Sequence, residues 1–142
     1  MAEILRLTQA DAETLNEINR LLRQLSGRVP LCTIGLLKDI VDSAALELWV
    51  VRDQNKIVGM GELAITLKPE GIIAQVEDLV IDAEQRGKGF GKMVSEKLIE
   101  RARARGARAV QLSSNPSRIA ANSLYQKLGF KFHETNSYYI DL

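Results

Sequence analysis

The chain has 142 residues, of which 46% are apolar and 26% charged, and its formal net charge is +1 at pH 7. This length and composition predict one compact domain, residues 1–142, and exclude collagen-like and intrinsically disordered chains. The near-neutral charge and scattered aromatic residues argue against nucleic-acid binding, and no run approaches the ~20 apolar residues of a membrane span.

The single cysteine and the single histidine restrict the chemistry further. Cys32 has no second cysteine for an intramolecular disulfide, which favours a reducing, cytoplasmic location. Cys32 and His133 lie too far apart in sequence for the usual zinc-ligand spacing, so we expect no metal site. The segment Met1–Thr8 lacks the apolar stretch of a signal peptide, so we do not expect secretion.

The first half of the chain predicts two helices and then three strands. Thr8 and Asp11 resemble a capping box at the start of the first helix, which ends at Ser26-Gly27. A second, short helix is expected over 34–41. Runs of apolar and β-branched residues between turn residues predict strands over 46–52, 56–66 and 72–81.

Small or polar residues interrupt two of these strands. Gly59 and Gly61 in the second strand indicate a bulge or a close backbone approach. Gln75, Glu77 and Asp78 lie within the otherwise apolar third strand, where polar side chains require a structural or chemical reason.

The second half predicts a glycine-rich turn, a helix ending at Gly106, a strand over 107–112 and a last helix. Asn115-Pro116 is expected to open the last helix and Gly129 to end it. The final residues are expected to form a hairpin, with strands over 130–133 and 137–142. The fold class is therefore α/β (α+β), with a mixed, mostly antiparallel sheet, a central parallel β-α-β unit and flanking helices.

The glycine cluster Gly87-Lys-Gly89-Phe-Gly91 lies between a predicted strand and a predicted helix. Glycines there let backbone N–H groups converge at a helix N-terminus, where an anion binds, and Arg86, Lys88 and Lys92 add positive charge. The spacing fits neither a Walker A loop nor a dinucleotide-binding turn, but it fits Arg-x-x-Gly-x-Gly directly after a strand. Alternatively, the cluster binds no anion: the glycines only allow the chain to turn into the helix, and the basic side chains face water.

Two separated stretches carry a resemblance to a known family. Glu77-Asp-Leu-Val-Ile-Asp82, continuing into the glycine cluster, and Ala121-Asn-Ser-Leu-Tyr-Gln-Lys-Leu-Gly-Phe130 resemble the motifs of the GNAT superfamily of acyl-CoA-dependent N-acetyltransferases. The resemblance implies acetyl-CoA as cosubstrate, with its pantetheine arm paired to the strand of Leu79, Val80 and Ile81. It also implies that the pyrophosphate rests on the segment of Arg86, Gly87, Lys88, Gly89, Phe90, Gly91 and Lys92.

The same resemblance assigns catalytic roles. Tyr125 matches the tyrosine that protonates the departing thiolate, although packing within the last helix is its alternative role, and the amide of Leu79 would polarise the thioester carbonyl. Glu77 and Asp78 are candidate bases, and as strand neighbours they should point to opposite faces, so that only one faces the acceptor amine. The Glu-Asp pair resembles that of glucosamine-phosphate N-acetyltransferases, which suggests an amino-sugar acceptor.

Arg118 departs from the family pattern, because many members carry at this position an asparagine that contacts pantetheine. Asn115, Ser114 or Asn122 could take over that contact. Alternatively, Arg118 could bind a phosphate or an anionic acceptor. The sequence leaves these alternatives open.

Together these features predict direct transfer of an acetyl group from acetyl-CoA to a primary amine of a small molecule, such as an amino sugar or an amino-acid-like metabolite. The alternatives are a protein or peptide N-acetyltransferase and a non-catalytic acyl-CoA-binding regulator. A homodimer that uses the last hairpin is a further hypothesis, and this hairpin and the loop Pro30–Thr33 could wall the acceptor site. Neither nucleic acid nor a membrane is an expected partner.

Overall fold

The computed structural model describes residues 1–142. Its elements are β1 (Glu3–Arg6), α1 (Ala12–Leu25), α2 (Ile34–Asp42), β2 (Leu46–Asp53), β3 (Lys56–Lys68), β4 (Gly71–Ile81), a 3-10 turn (Ala83–Gln85), α3 (Phe90–Ala104), β5 (Ala109–Gln111) and α4 (Ile119–Lys127). The strands form one sheet in the order β1-β2-β3-β4-β5, in which only β4 and β5 pair in parallel. The expected fold class, with its parallel unit of β4, α3 and β5, is confirmed. None of the helices has the length and apolarity that crossing a lipid bilayer requires.

Each face of the sheet carries its own apolar core. α1 and α2 cover one face, where Leu21 and Met60 are among the buried residues. α3 covers the other face, where Val94 and Leu98 are buried. The close approach of α3 explains Gly61, since a Cβ at this position would lie 2.9 Å from Val94 Cγ1.

A buried ion pair attaches α3 to the sheet. Glu47 on β2 is fully buried, and its carboxylate accepts hydrogen bonds from Arg101 Nε on α3 and from Arg105 Nη1 directly after α3, each at 2.8 Å. Trp49 Nε1 donates to the same carboxylate at 2.9 Å. Burial alone would raise the pKa of Glu47, but these hydrogen bonds lower it to about 2. The pair therefore fixes the C-terminal half of α3 against β2.

The N-terminal region differs from the prediction in two ways. β1 is absent from the sequence prediction, because its short run of residues shows no clear strand periodicity. The N-cap of α1 is Asp11 rather than Thr8, and the Asp11 carboxylate accepts a hydrogen bond from Thr14 N at 2.8 Å. Leu7 N still donates to Leu48 O on the sheet, so Thr8 lies in the link between β1 and α1.

The C-terminal region differs as well. α4 begins after Arg118 rather than at Asn115-Pro116, because Asn115 Oδ1 accepts a hydrogen bond from Ser117 N and forms a turn ahead of the helix. Gly129, with a φ of +101°, ends α4 as predicted. The predicted hairpin is wrong: residues 131–142 are exposed and make no backbone hydrogen bond, because no strand of the same chain lies beside them.

Candidate active site

A cavity of about 330 Å³ lies where β4 and β5 diverge. The two strands pair only between Ile73–Gln75 and Ala109–Gln111, so the edge of β4 beyond Gln75 is free of β5. This volume is typical of small-molecule sites. Five residues of the predicted site line the cavity together: Glu77, Asp78, Leu79, Asn115 and Tyr125.

A β-bulge in β4 shapes this part of the site. Met60 pairs with Val80 and Glu62 pairs with Glu77, so one intervening residue of β3 faces two of β4. Asp78 is one of these two and has a φ of +49°, which is strained for a residue with a side chain. The bulge breaks the strict alternation of β4, so the assumption that Glu77 and Asp78 point to opposite faces does not hold here.

Three carboxylates converge beside the bulge. Glu62 and Glu77 are cross-strand partners on one face of the sheet, and the charge of Asp78 acts on both. Burial, followed by the charges of Asp78 and Glu77, raises the pKa of Glu62 to about 6. Burial also raises the pKa values of Glu77 and Asp78. None of the three forms an ion pair within the chain.

Glu62 is missing from the site predicted from the sequence. Only the register of β3 against β4 brings it beside Glu77, and a single sequence does not show that register. Its one sequence signal is a charged residue next to Gly61 in an apolar strand.

Tyr125 on α4 is only 5% exposed and lines the cavity. Its ring packs edge-on against Phe130, with 5.9 Å between the ring centroids. Burial raises the pKa of the Tyr125 phenol, and the neighbouring Arg118 guanidinium partly offsets this. The phenol is therefore protonated at neutral pH and available as a proton donor.

Arg118 bridges α4 and β4. Its Nη2 donates to Leu79 O at 3.1 Å, so this backbone carbonyl already has a partner. Asn122 Nδ2 donates to Asn115 O at 3.0 Å and braces the turn ahead of α4. Ser114 lines the cavity, and its buried hydroxyl has no hydrogen-bond partner. Ser114 therefore has free hydrogen-bonding capacity at the cavity, which Asn115 also lines.

The glycine-rich turn presents free backbone donors at the N-terminus of α3. Gly87 and Gly89 have φ values of +81° and +85°, and a Cβ at either position would meet no atom within 4 Å. No backbone amide from Gly87 to Lys92 donates a hydrogen bond within the chain. Successive free N–H groups of this kind form an anion-binding concavity, so the turn fits a diphosphate.

The basic side chains around this turn are exposed and only weakly held. Arg86 Nε donates to Ile81 O at 3.3 Å, and Lys88 Nζ donates to Gln85 Oε1 at 2.8 Å. Lys92 Nζ lies 3.7 Å from Oε1 of Glu96, which is exposed and lies one helical turn later. Such exposed contacts contribute little to stability, so a phosphate group can displace them.

α1 anchors the connection between β4 and the turn. Asp82 is 2% exposed, and its carboxylate accepts hydrogen bonds from Arg20 Nη1 at 2.5 Å and from Glu84 N at 3.1 Å. Gln24 Oε1 accepts a hydrogen bond from Ala83 N at 2.8 Å. Burial alone would raise the pKa of Asp82, but the hydrogen bonds from Glu84 and Arg20 lower it. α1 therefore fixes the path of the chain into the turn.

The loop before α2 lies near the carboxylates. The buried Asn19 holds this loop, because its Oδ1 accepts a hydrogen bond from Cys32 N at 2.7 Å and its Nδ2 donates to Cys32 O at 3.0 Å. Burial raises the pKa of the Cys32 thiol, and the charges of Glu62 and Asp78 raise it further. The loop is not among the residues that line the cavity, so its role as a wall of the acceptor site stays a prediction. His133, by contrast, lies on the exposed C-terminal residues.

Comparison with known proteins identifies relatives along most of the chain. A family model described as "Acetyltransferase (GNAT) family" matches residues 15–130. Glucosamine 6-phosphate N-acetyltransferase 1 of Oryza sativa subsp. japonica is 40% identical over 119 residues, which cover 78% of this chain and 70% of that protein. Glucosamine 6-phosphate N-acetyltransferase of Trypanosoma brucei brucei is 31% identical over 137 residues, which cover 92% and 91%.

Other relatives are longer, and the chain spans between 30% and 46% of three of them, among them the N-acetylaspartate synthetase of Xenopus tropicalis. A solved Trypanosoma brucei acetyltransferase superposes over 100% of both chains, with a TM-score of 0.82 and 30% sequence identity. The residues matched by the family model include both the glycine-rich turn and Tyr125. The chain therefore belongs to the GNAT family of acetyltransferases, as its sequence predicted.

Proposed function

We propose that the protein is an acetyl-CoA-dependent N-acetyltransferase that acts on a primary amine of a small molecule. One observation carries this proposal: Tyr125, the Glu77-Asp78 pair and Leu79 line one cavity. At Leu79 the strand β4 is not paired with β5, and Glu62 lies beside Glu77 on the neighbouring strand. Relatives named glucosamine 6-phosphate N-acetyltransferase and N-acetylaspartate synthetase support a small amine as the acceptor.

The free backbone groups support the binding of acetyl-CoA. Its diphosphate would rest on the amides of Gly87–Lys92, which have no partner in the chain. Its pantetheine arm would follow Leu79–Ile81, where β4 is not paired with β5, and the Ser114 hydroxyl offers a polar contact beside it. The exposed charges around the diphosphate come from Arg86, Lys88 and Lys92.

The reaction joins the acceptor nitrogen to the acetyl carbonyl carbon and breaks the carbon–sulfur bond, so that CoA leaves as a thiolate. The acceptor must first lose a proton from its ammonium, and Glu62, with a pKa of about 6, is suited to accept it near neutral pH. Glu77 and Asp78 are the other candidate bases. The Tyr125 phenol protonates the thiolate, and the second proton that the nitrogen releases restores the phenol. The amide of Leu79 polarises the carbonyl oxygen.

The charges around the cavity narrow the class of acceptor. The carboxylates attract an ammonium group, and Arg118 is the only cationic side chain that lines the cavity. An acceptor with both an amine and an anionic group, such as an amino sugar phosphate or an amino acid, suits this pair of charges. A peptide acceptor and a non-catalytic acyl-CoA regulator are the alternatives that the experiment must separate.

A thiol-release assay with acetyl-CoA tests the proposal. We expect turnover with glucosamine 6-phosphate or an amino acid, and a fall in kcat of ~10²-fold or more in Tyr125→Phe, because the donor hydroxyl is lost. The Kd for acetyl-CoA should not change, since phenylalanine keeps the packing against Phe130. Tyr139→Phe, which alters an exposed hydroxyl, is the matched control.

The outcomes of this assay separate the alternatives. Turnover with peptides and with no small amine would support the protein acetyltransferase instead. Binding of acetyl-CoA without any turnover would support the regulator. An unchanged kcat in Tyr125→Phe would leave Tyr125 with a packing role only.

A cytoplasmic location and a homodimer belong to the same proposal. The lone Cys32 is a free thiol, which suits a reducing compartment. The exposed apolar side chains after Phe130 favour assembly with another chain.

A further inference from the structure

The guanidinium of Arg118 reaches the gap between β4 and β5 from the start of α4. On β4, Asp82 N donates to Val58 O at 2.8 Å, so the backbone of Asp82 faces β3. Residues two apart on a strand face the same side, so Val80 also faces β3, and the N–H and C=O of Leu79 face the gap. Arg118 Nη2 donates to this carbonyl at 3.1 Å. The guanidinium therefore lies beside the backbone amide that would polarise the thioester.

The same guanidinium is a neighbour of the Tyr125 phenol. Both side chains line the cavity, and Tyr125 follows Arg118 by about two turns of α4. Burial raises the pKa of the Tyr125 phenol, whereas the positive charge of Arg118 lowers it. Arg118 thus connects the two groups of the chain that act on the thioester, the Leu79 amide and the Tyr125 phenol.

The other charges at the cavity are negative. Besides Tyr125 and Arg118, the titratable side chains that line it are Glu77 and Asp78 on β4, and the charge of Asp78 also acts on Glu62 on β3. The lining residues from α1 and from the loop after β5 carry no titratable side chain, and α3 contributes none. Negative charge that develops on sulfur or on the phenol is opposed by these carboxylates. Arg118 is the charge that favours it.

We propose that Arg118 is a positioning residue of the acetyl transfer, whose guanidinium favours the passage of the Tyr125 proton to the departing sulfur. The carbon–sulfur bond breaks, its electron pair goes to sulfur, and the phenol proton follows. The phenolate left beside Arg118 regains a proton from the acceptor nitrogen, so the charges balance. An asparagine, which many family members carry at this position, has no charge and could not act in this way. This role rests on the proposed function.

The contact with Leu79 holds the guanidinium in place without using all its donors. A guanidinium has five N–H groups, and one of them donates to Leu79 O. That carbonyl oxygen has a second lone pair, which can accept a hydrogen bond from the pantetheine arm. The remaining N–H groups of Arg118 can also bind an anionic group of the acceptor. The role at the sulfur is therefore compatible with the proposed class of acceptor.

Two substitutions of Arg118 separate its charge from its hydrogen bond. Arg118→Lys keeps a positive charge, whereas Arg118→Gln keeps an N–H donor without the charge. In the thiol-release assay at saturating acetyl-CoA, we expect kcat to fall at least ~30-fold in Arg118→Gln and at most ~5-fold in Arg118→Lys. The fall should be the same with glucosamine 6-phosphate and with glucosamine, which lacks the anionic group. Arg103→Gln, which removes an exposed guanidinium on α3, is the matched control and should keep full activity.

A titration of the phenol tests the same role without any substrate. 3,5-Difluorotyrosine, whose phenol is more acidic than that of tyrosine, is placed at position 125 of the full chain and followed by ¹⁹F NMR against pH. We expect the titration midpoint to rise by at least ~1 pH unit in Arg118→Gln, because the stabilising charge is lost. In Arg118→Lys and Arg103→Gln the midpoint should stay closer to that of the chain with Arg118. Circular dichroism checks that each variant is folded, and Arg118→Met is a second neutral variant.

Each outcome decides for or against this role. An unchanged midpoint in both neutral variants would overturn it even if turnover falls, because the loss would then come from the contact with Leu79. An unchanged kcat with a higher KM for glucosamine 6-phosphate alone would also overturn it and assign Arg118 to the acceptor. A raised midpoint in a chain that acetylates no amine would support the pairing of Arg118 with Tyr125 and contradict the proposed function.

Discussion

Glu62 carries a cost in stability that a role in the site explains. Its carboxyl group has a pKa of about 6, against an ordinary value of 4.5, because of burial and the charges of Asp78 and Glu77. The folded state therefore binds the proton more tightly than the unfolded state, and ionised Glu62 opposes folding above about pH 6. Below about pH 4 both states are protonated and the cost disappears. Charged groups that a fold retains at such a cost are typical of functional sites.

Glu62→Gln should separate stability from activity. At about pH 8 its free energy of unfolding should exceed that of the unmodified protein by roughly 1–2 kcal/mol, because the neutral amide removes the charge. At about pH 4 the difference should vanish. If Glu62 is the base, turnover should fall at least ~10-fold, and the unmodified enzyme should lose activity below about pH 6.

Urea unfolding at the two pH values and the thiol-release assay measure both effects. Glu3→Gln, which changes an exposed carboxylate on β1, is the control. A Glu62→Gln variant that is less stable than the unmodified protein at the higher pH would show that the charge of Glu62 does not oppose folding. Full turnover of the variant would show that Glu62 is not the base.

Gly89 tests the anion site through a matched pair of glycines at the two ends of α3. Gly89 and Gly106 have φ values of +85° and +79°, so a leucine at either position introduces similar backbone strain. Only Gly89 lies where the free amides converge. We expect Gly89→Leu to weaken CoA binding at least ~10-fold in calorimetry by blocking the backbone, while Gly106→Leu binds normally. Equal affinities for the two variants would refute the diphosphate site.

At the scale of elements, α3 is held at both ends by polar contacts. α1 fixes the entry to its N-terminus through Asp82, and Glu47 on β2 binds its last turns through Arg101 and Arg105. The anion site is therefore built on a helix whose position is determined by two other elements. This arrangement places the free amides of the turn directly after the C-terminal end of β4.

Glu47→Gln should lower the free energy of unfolding by about 1–3 kcal/mol, because two partly exposed arginines lose the charge of their buried partner. The pKa of Glu47 is about 2, below its ordinary value of 4.5, so its stabilisation is present above pH 4.5 and is lost as the pH falls toward 2. The variant should lack this acid-dependent loss. The control is Glu100→Gln, which changes an exposed carboxylate on α3. It should change the free energy of unfolding little in the same chemical denaturation series.

For the whole molecule, local patterns predicted β2, β3, β4 and α3, because turn residues bound these elements and their apolar residues follow one period. They also predicted the glycine-rich turn, since its conformation depends on the glycines themselves. The bulge at Asp78 and the place of Glu62 depend on the register between two strands, which no local pattern contains. The start of α4 differs because Asn115 can form either a cap or a turn.

The C-terminal residues illustrate a further limit. Their alternating apolar residues predict strands over 130–133 and 137–142, but residues 131–142 form no strand and make no backbone hydrogen bond. A strand needs a partner strand at hydrogen-bonding distance as well as an alternating sequence, and the local pattern of one segment does not contain that partner.

The proposed homodimer links stability to protein concentration, because unfolding then also separates two chains. The exposed apolar side chains Phe132, Tyr138 and Ile140 are the surface that assembly would bury. The melting temperature of the unmodified protein should therefore rise by roughly 3–6 °C over a hundredfold increase in concentration. Differential scanning calorimetry over that range measures the rise. A melting temperature that does not depend on concentration would contradict the homodimer and leave these side chains exposed to water.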